Sequence, residues 1–150
     1  MAGSRYIVQR VGVTPVAGND LITVISPANG RIELIECVVS GRHTSSTPQV
    51  LQVGTSTGGT TPGGAITPTK MDPDSLASDA TTATTWVAQP TMDTNVIGLG
   101  FNSLGGSFPW SRKSGGIGPT ARNGANLSLR CPSGAPTPQL VDVHLVYERA

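Results

Sequence analysis

The chain is short of charge, of aromatic residues and of helix-forming runs, and each shortage excludes something. Only 13% of its 150 residues are Asp, Glu, Lys or Arg, about half the ~25% common in globular proteins. The net charge is +1, with no basic concentration able to hold nucleic-acid phosphates by counterion release. No nucleic-acid partner is expected. Apolar runs approaching ~20 residues are absent, so no membrane-spanning segment is expected. The opening "MAGSRYIVQRVGV" lacks the apolar stretch of a signal peptide. There are two cysteines, Cys37 and Cys131, both inside strand-like runs. They are expected as buried free thiols rather than a disulfide framework.

Helix signals are nearly missing too. The best window, "MDPDSLASDA", offers one short turn capped by Asp72 or Asp74, with Pro73 in its first position. What remains is rich in Gly, Thr, Ser and Pro and reads as strands and turns. Alternation marks "RYIVQRVGV", "PQVLQVG", "NVIGLGFN", "NLSLRC" and "QLVDVHLVYE". "DLITVIS" is a short β-branched run, and "TTWVAQP" is a further strand. Asn29-Gly30 is a two-residue hairpin signal before "RIELIECVVS", whose alternation slips at Ile35-Glu36. A bulge or burial of both faces accounts for such a slip. Eight or nine short strands separated by turns predict a single all-β domain, an antiparallel β-sandwich or jelly roll. The expected core contains Ile32, Leu34, Ile97, Leu99, Leu127, Leu129, Val141, Val143, Leu145 and Tyr147.

Catalytic and metal-binding patterns are equally scarce. His144 shares a strand face with Asp142, but no G-x-S-x-G elbow supplies a nucleophile, and His43 lies in a polar turn. "DPDSLASDATTA" has only the first two acids of a calcium loop, although Asp79 follows. "GTSTGGTTPGG" lacks the Lys-Ser/Thr pair of a phosphate loop. "GLGFNSLGG" is not followed by a helix pattern, as a dinucleotide site requires. The sequon Asn126-Leu127-Ser128 falls inside a strand. No catalytic residue, metal, cofactor or small-molecule substrate is expected. In "GGSFPWSRKSGG", Phe108 and Trp110 either plug the end of a sandwich or anchor a partner.

The stretch 54–85 is the outlier. It has no aromatic residue and four charges, Lys70, Asp72, Asp74 and Asp79. A loop this long inside a compact domain is usually functional or disordered. With so little to bury it is expected to be an extended arm ordered by a partner, with Met71, Leu76 and the adjoining Trp86 as apolar anchors. Pro62, Pro68, Pro73 and Pro90 reduce the entropy lost on ordering.

Three stretches carry a resemblance. "GGTTPGGAITPTKMDPDSLAS", "IGLGFNSLGGSFPW" and "NGANLSLRCPSGAPTPQLVDVHLVYE" resemble the Gly/Thr loop, aromatic-bearing strand pair and closing strands of head decoration or cement proteins of tailed bacteriophages. The likeness spans about residues 31–148 and is a pattern of turns and strands. It implies a non-enzymatic virion protein on the outer capsid surface, assembled in the host cytoplasm. It also implies a homotrimer bound to the major capsid protein. Lys70, Met71, Asp72, Leu76, Trp86, Phe108 and Trp110 are the interface expected on this reading. Two alternatives are a carbohydrate- or receptor-binding sandwich of a phage tail or fibre, using Trp110, and a small hydrolase built on His144.

Overall fold

The computed structural model describes residues 3–150, in which every regular element is a β-strand. The strands are β1 (Ser4–Val13), β2 (Asp20–Ile25), β3 (Arg31–Gly41), β4 (Pro48–Thr57), β5 (Thr60–Gly63), β6 (Thr69–Lys70) and β7 (Thr81–Ala83). They continue with β8 (Thr85–Ala88), β9 (Thr91–Asn102), β10 (Ser107–Ser111), β11 (Thr120–Arg122), β12 (Asn126–Arg130) and β13 (Val141–Arg149). One sheet runs β10-β3-β13-β1-β6, with β11 also on β3. The other runs β7-β2-β12-β4-β9, and β5 and β8 form a separate ribbon. All pairings are antiparallel.

The eight principal strands follow one rule. β1 pairs β13, β2 pairs β12, β3 pairs β10 and β4 pairs β9. The first strand therefore meets the last and the fourth meets the fifth, as in one long antiparallel ribbon rolled into two sheets. That is the jelly-roll form of the sandwich. The inward faces bury the apolar alternation of β13, with Val141, Val143, Leu145 and Tyr147 all 3% exposed or less. Leu127, Leu129, Ile32, Leu34 and Leu99 join them. Ile97 does not. It packs only partly against the core, because β9 is an edge strand with one side unpaired.

The slip in β3 is a bulge. Val146 opposes Glu36 while Tyr147 opposes Leu34, leaving Ile35 without a partner. Ile35 and Glu36 are both half-exposed, so burial of both faces is not the cause. A second irregularity, between Arg10 and Val13 in β1, places Gly12 at φ 64°, a left-handed conformation suited to glycine.

Asn29-Gly30 does not form a hairpin. Gly30 N donates to Pro27 O in a turn that carries the chain from β2 in one sheet to β3 in the other. The left-handed Asn-Gly pair is Asn123-Gly124, at φ 53° and 84°, and it too crosses between sheets, from β11 to β12.

The stretch 54–85 is not a structureless arm. It begins as the end of β4 and inserts β5, β6 and β7 into the β4–β9 connection. Its β6 pairs the outer side of β1 and its β7 pairs the outer side of β2, so it covers one edge of each sheet. Unpaired edges invite association with other chains, and this segment covers Tyr6 and Ile7 of one and Thr23, Val24 and Ile25 of the other. The segment also buries more than its composition suggests. Ile66 packs against the core, Ala80 and Ala83 are buried, and the Thr82 hydroxyl bonds both the N–H and the carbonyl of Ile66. Main-chain pairing and small side chains tie it to both sheets.

Candidate functional site

The most exposed apolar feature of this segment is a ridge between β6 and β7. Met71 is 56% exposed and Leu76 84%. Exposure of two large apolar side chains would be unremarkable on a mobile loop. Here the main chain beneath them is pinned. Met71 N donates to Arg5 O at 3.0 Å, and the Tyr6 hydroxyl donates to Leu76 O at 2.8 Å. Between these points Asp72 and Pro73 open a turn closed by Ser75 N on Asp72 O, and the Asp72 carboxylate accepts the Asp74 N–H. Lys70 Nζ reaches over the turn to Pro73 O at 3.0 Å.

Beyond the ridge the chain is fastened again. Ser78 Oγ lies 2.6 Å from the Tyr147 hydroxyl, and Tyr147 stacks on Tyr6 with ring centroids 5.4 Å apart. Burial pushes the Tyr147 hydroxyl up to about 12, against the opposing pull of its Ser78 bond. Arg149 grips Asp79 with two bonds, Nε to Oδ1 at 2.8 Å and Nη2 to Oδ2 at 3.0 Å. That bidentate bond holds the Asp79 carboxyl below its ordinary range. Asp79 is thereby drawn away from Asp72 and Asp74, and no group of three or more potential metal ligands gathers among the described residues.

The seven residues expected to form one interface fall in three places. Lys70, Met71, Asp72 and Leu76 share the ridge beside β1. Phe108 and Trp110 lie on β10, at the opposite margin of the same sheet. Both are half-buried, opposite Val39 and Cys37, and pack partly against the core, apart from the ridge. Trp86, on β8, stands apart from both groups. Its Nε1 donates to Thr23 Oγ1 at 3.0 Å. A Cβ at Gly59, where φ is +90°, would come within 2.7 Å of the indole, so the β5–β8 ribbon requires glycine there.

Trp86 also lines a cleft of about 350 Å³ that sequence reasoning missed. Arg10, Asn19, Leu21 and Gln89 share its wall, contributed by segments far apart in the chain. No spacing rule brings residues 10, 19 and 86 together, so the cleft is not legible in the sequence.

The histidines stand outside both features. His144 Nε2 lies 2.7 Å from Glu36 Oε1, not beside Asp142, whose carboxylate instead accepts the Gly12 N–H at 2.7 Å. His43 Nδ1 accepts the Ser45 N–H. Asn126 is 1% exposed and donates to Ser56 Oγ, which leaves the sequon inaccessible in the fold. Cys37 and Cys131 are buried free thiols. Burial and the neighbouring Glu36 charge push Cys37 up to about 12, and burial raises Cys131. Compared with known proteins, the chain matches no family model, no curated protein and no solved structure.

Proposed function

We propose that this chain is a non-enzymatic structural protein of a phage virion, a decoration subunit that docks on the major capsid protein and acts by binding. The observation that carries this reading is the ridge. Met71 and Leu76 are exposed on a main chain fixed at both ends to β1. A partner covering them gains apolar burial while ordering little backbone, because the fold has already ordered it. Lys70 and Asp72 flank the pair and supply polar groups of both signs for a rim. The resemblance to head decoration proteins supplies the partner, the outer capsid surface and the trimeric state of the proposal.

Catalysis is given no support by the histidines, whose ring nitrogens bond the Ser45 main chain and the Glu36 carboxylate. The test is comparison of purified particles from the source with particles made after deletion of the gene. Mass spectrometry should find the chain in the first, and electron microscopy should show surface density missing from the second. Particles that never contain the chain would refute the proposal.

A further inference from the structure

Beyond docking, we propose that the cleft at Arg10 and Trp86 binds a carboxylated sugar, with Arg10 taking the carboxylate. Arg10 lies on the cleft wall and makes one hydrogen bond, from Nη1 to Leu21 O at 2.9 Å. Among the described residues it has no carboxylate within ion-pair reach. A guanidinium carries five N–H donors in a planar fork, and the Leu21 bond uses one of them. Burial without a counter-ion lowers the Arg10 pKa, and an incoming anion would relieve that cost.

The nearest acid on the wall is unable to serve as that counter-ion. Asp20 is 4% exposed, and its carboxylate is taken by Thr23, Ser128 and Arg130 at 2.6–2.7 Å. Its main-chain N–H is taken by Gln89 Oε1 at 3.0 Å. This network fixes Gln89 and the cleft floor while leaving the Arg10 charge uncompensated.

The rest of the wall selects the body of the ligand. Asn19, Thr84, Thr85 and Gln89 bring neutral donors and acceptors that suit hydroxyl groups, and Trp86 with Val16 brings apolar surface that suits a sugar ring. The volume, about 350 Å³, lies at the small end of ligand pockets. A polyhydroxylated ring with one carboxylate satisfies all three features. A plain carboxylate leaves the neutral groups unmatched, and a neutral sugar leaves Arg10 unmatched.

The experiment is titration of the isotope-labelled full chain with D-glucuronate, D-glucose and acetate, followed by amide, indole and guanidinium resonances. Glucuronate should produce saturable shifts at the Trp86 indole and around Arg10 and Gln89. Glucose and acetate should each bind at least about tenfold more weakly, the loss expected for one charge-assisted hydrogen bond or more. Arg10→Gln should weaken glucuronate by a similar factor. Should Arg10→Gln fail to fold, Arg10→Lys keeps the charge but removes the planar fork, and it too should weaken binding. Absence of saturable shifts with glucuronate, equal binding of acetate, or unaltered glucuronate affinity in the folded variant would each overturn the proposal. Capsid docking through the ridge is read separately by co-sedimentation, so the two proposals fail independently.

Discussion

The hydroxyl of Tyr6, a core residue 2% exposed, donates at 2.8 Å to the main-chain carbonyl of Leu76, whose own side chain is 84% exposed. One bond thus ties the main chain beneath the most exposed apolar side chain of the ridge to a buried core residue. Tyr6→Phe should keep the Tyr147 stack and remove only this donor. We predict a stability loss of about 1 kcal/mol, the usual net worth of one hydrogen bond. Faster amide exchange at residues 75–78 should accompany it, with the central strands unchanged. Chemical denaturation and hydrogen exchange of the purified variant measure both.

The 54–85 segment should be resistant to proteolysis in the isolated subunit. Tyr6 opposes Lys70 and Ile7 opposes Thr69, so the bond after Lys70 lies at the end of a paired strand. Trypsin should cut there no faster than at Arg122, also at a strand end. Ile66→Ala should remove this protection by freeing the segment from the core, and cost about 2 kcal/mol. Rapid cleavage at Lys70 of the unmodified free chain would show that the pairing does not persist in solution.

The fold class was legible because alternation survives wherever one face is wet. β13 reads Val141, Val143, Leu145, Tyr147 in sequence and in the core, and the slip at Ile35-Glu36 marks a real bulge. Turn chemistry was less informative. An Asn-Gly pair specifies a tight reversal, but in a jelly roll a reversal can join strands of different sheets, as at Asn29-Gly30 and Asn123-Gly124. The pairing within the 54–85 segment was hidden for a related reason. Its order comes from main-chain bonds to β1 and β2 and from Ala and Thr side chains, which hydrophobicity undervalues. Phe108 and Trp110 look alike on either side of Pro109 whether they face a partner or the core, and only the β10–β3 register places them opposite the buried Val39 and Cys37.

Acid should weaken the sandwich through Glu33. Burial alone would raise this carboxyl. The Gly118 N–H, Arg112 and Arg31 together bring it below its ordinary value. A folded-state pKa below the unfolded one contributes stability that is complete above the unfolded value of about 4.3. That contribution is lost as pH falls from there through the folded value. Glu33→Gln should cost about 1–3 kcal/mol at pH 7, since Arg112 and Arg31 lose a charged acceptor. It should also flatten the acid limb of a plot of stability against pH. An acid limb as steep as in the unmodified chain would assign acid sensitivity to another group.

The two thiols should be inert in the native state. With Cys37 pushed up to about 12 and Cys131 also raised, thiolate is scarce at neutral pH and both sulfurs are covered. A thiol reagent at pH 7.5 should modify neither in the folded chain and both after denaturation, without prior reduction. Failure to modify both in denaturant would point to oxidation or a bond not present in this structure.

The most direct test of ridge docking is co-sedimentation of the double variant Met71→Ser/Leu76→Ser with capsid particles lacking the chain. Both side chains are exposed, so thermal unfolding should stay within about 1 kcal/mol of the parent. Binding to particles should fall at least about tenfold, mainly through faster dissociation, as interface truncations usually act. A double variant that folds normally and sediments with particles as well as the parent would contradict docking through the ridge.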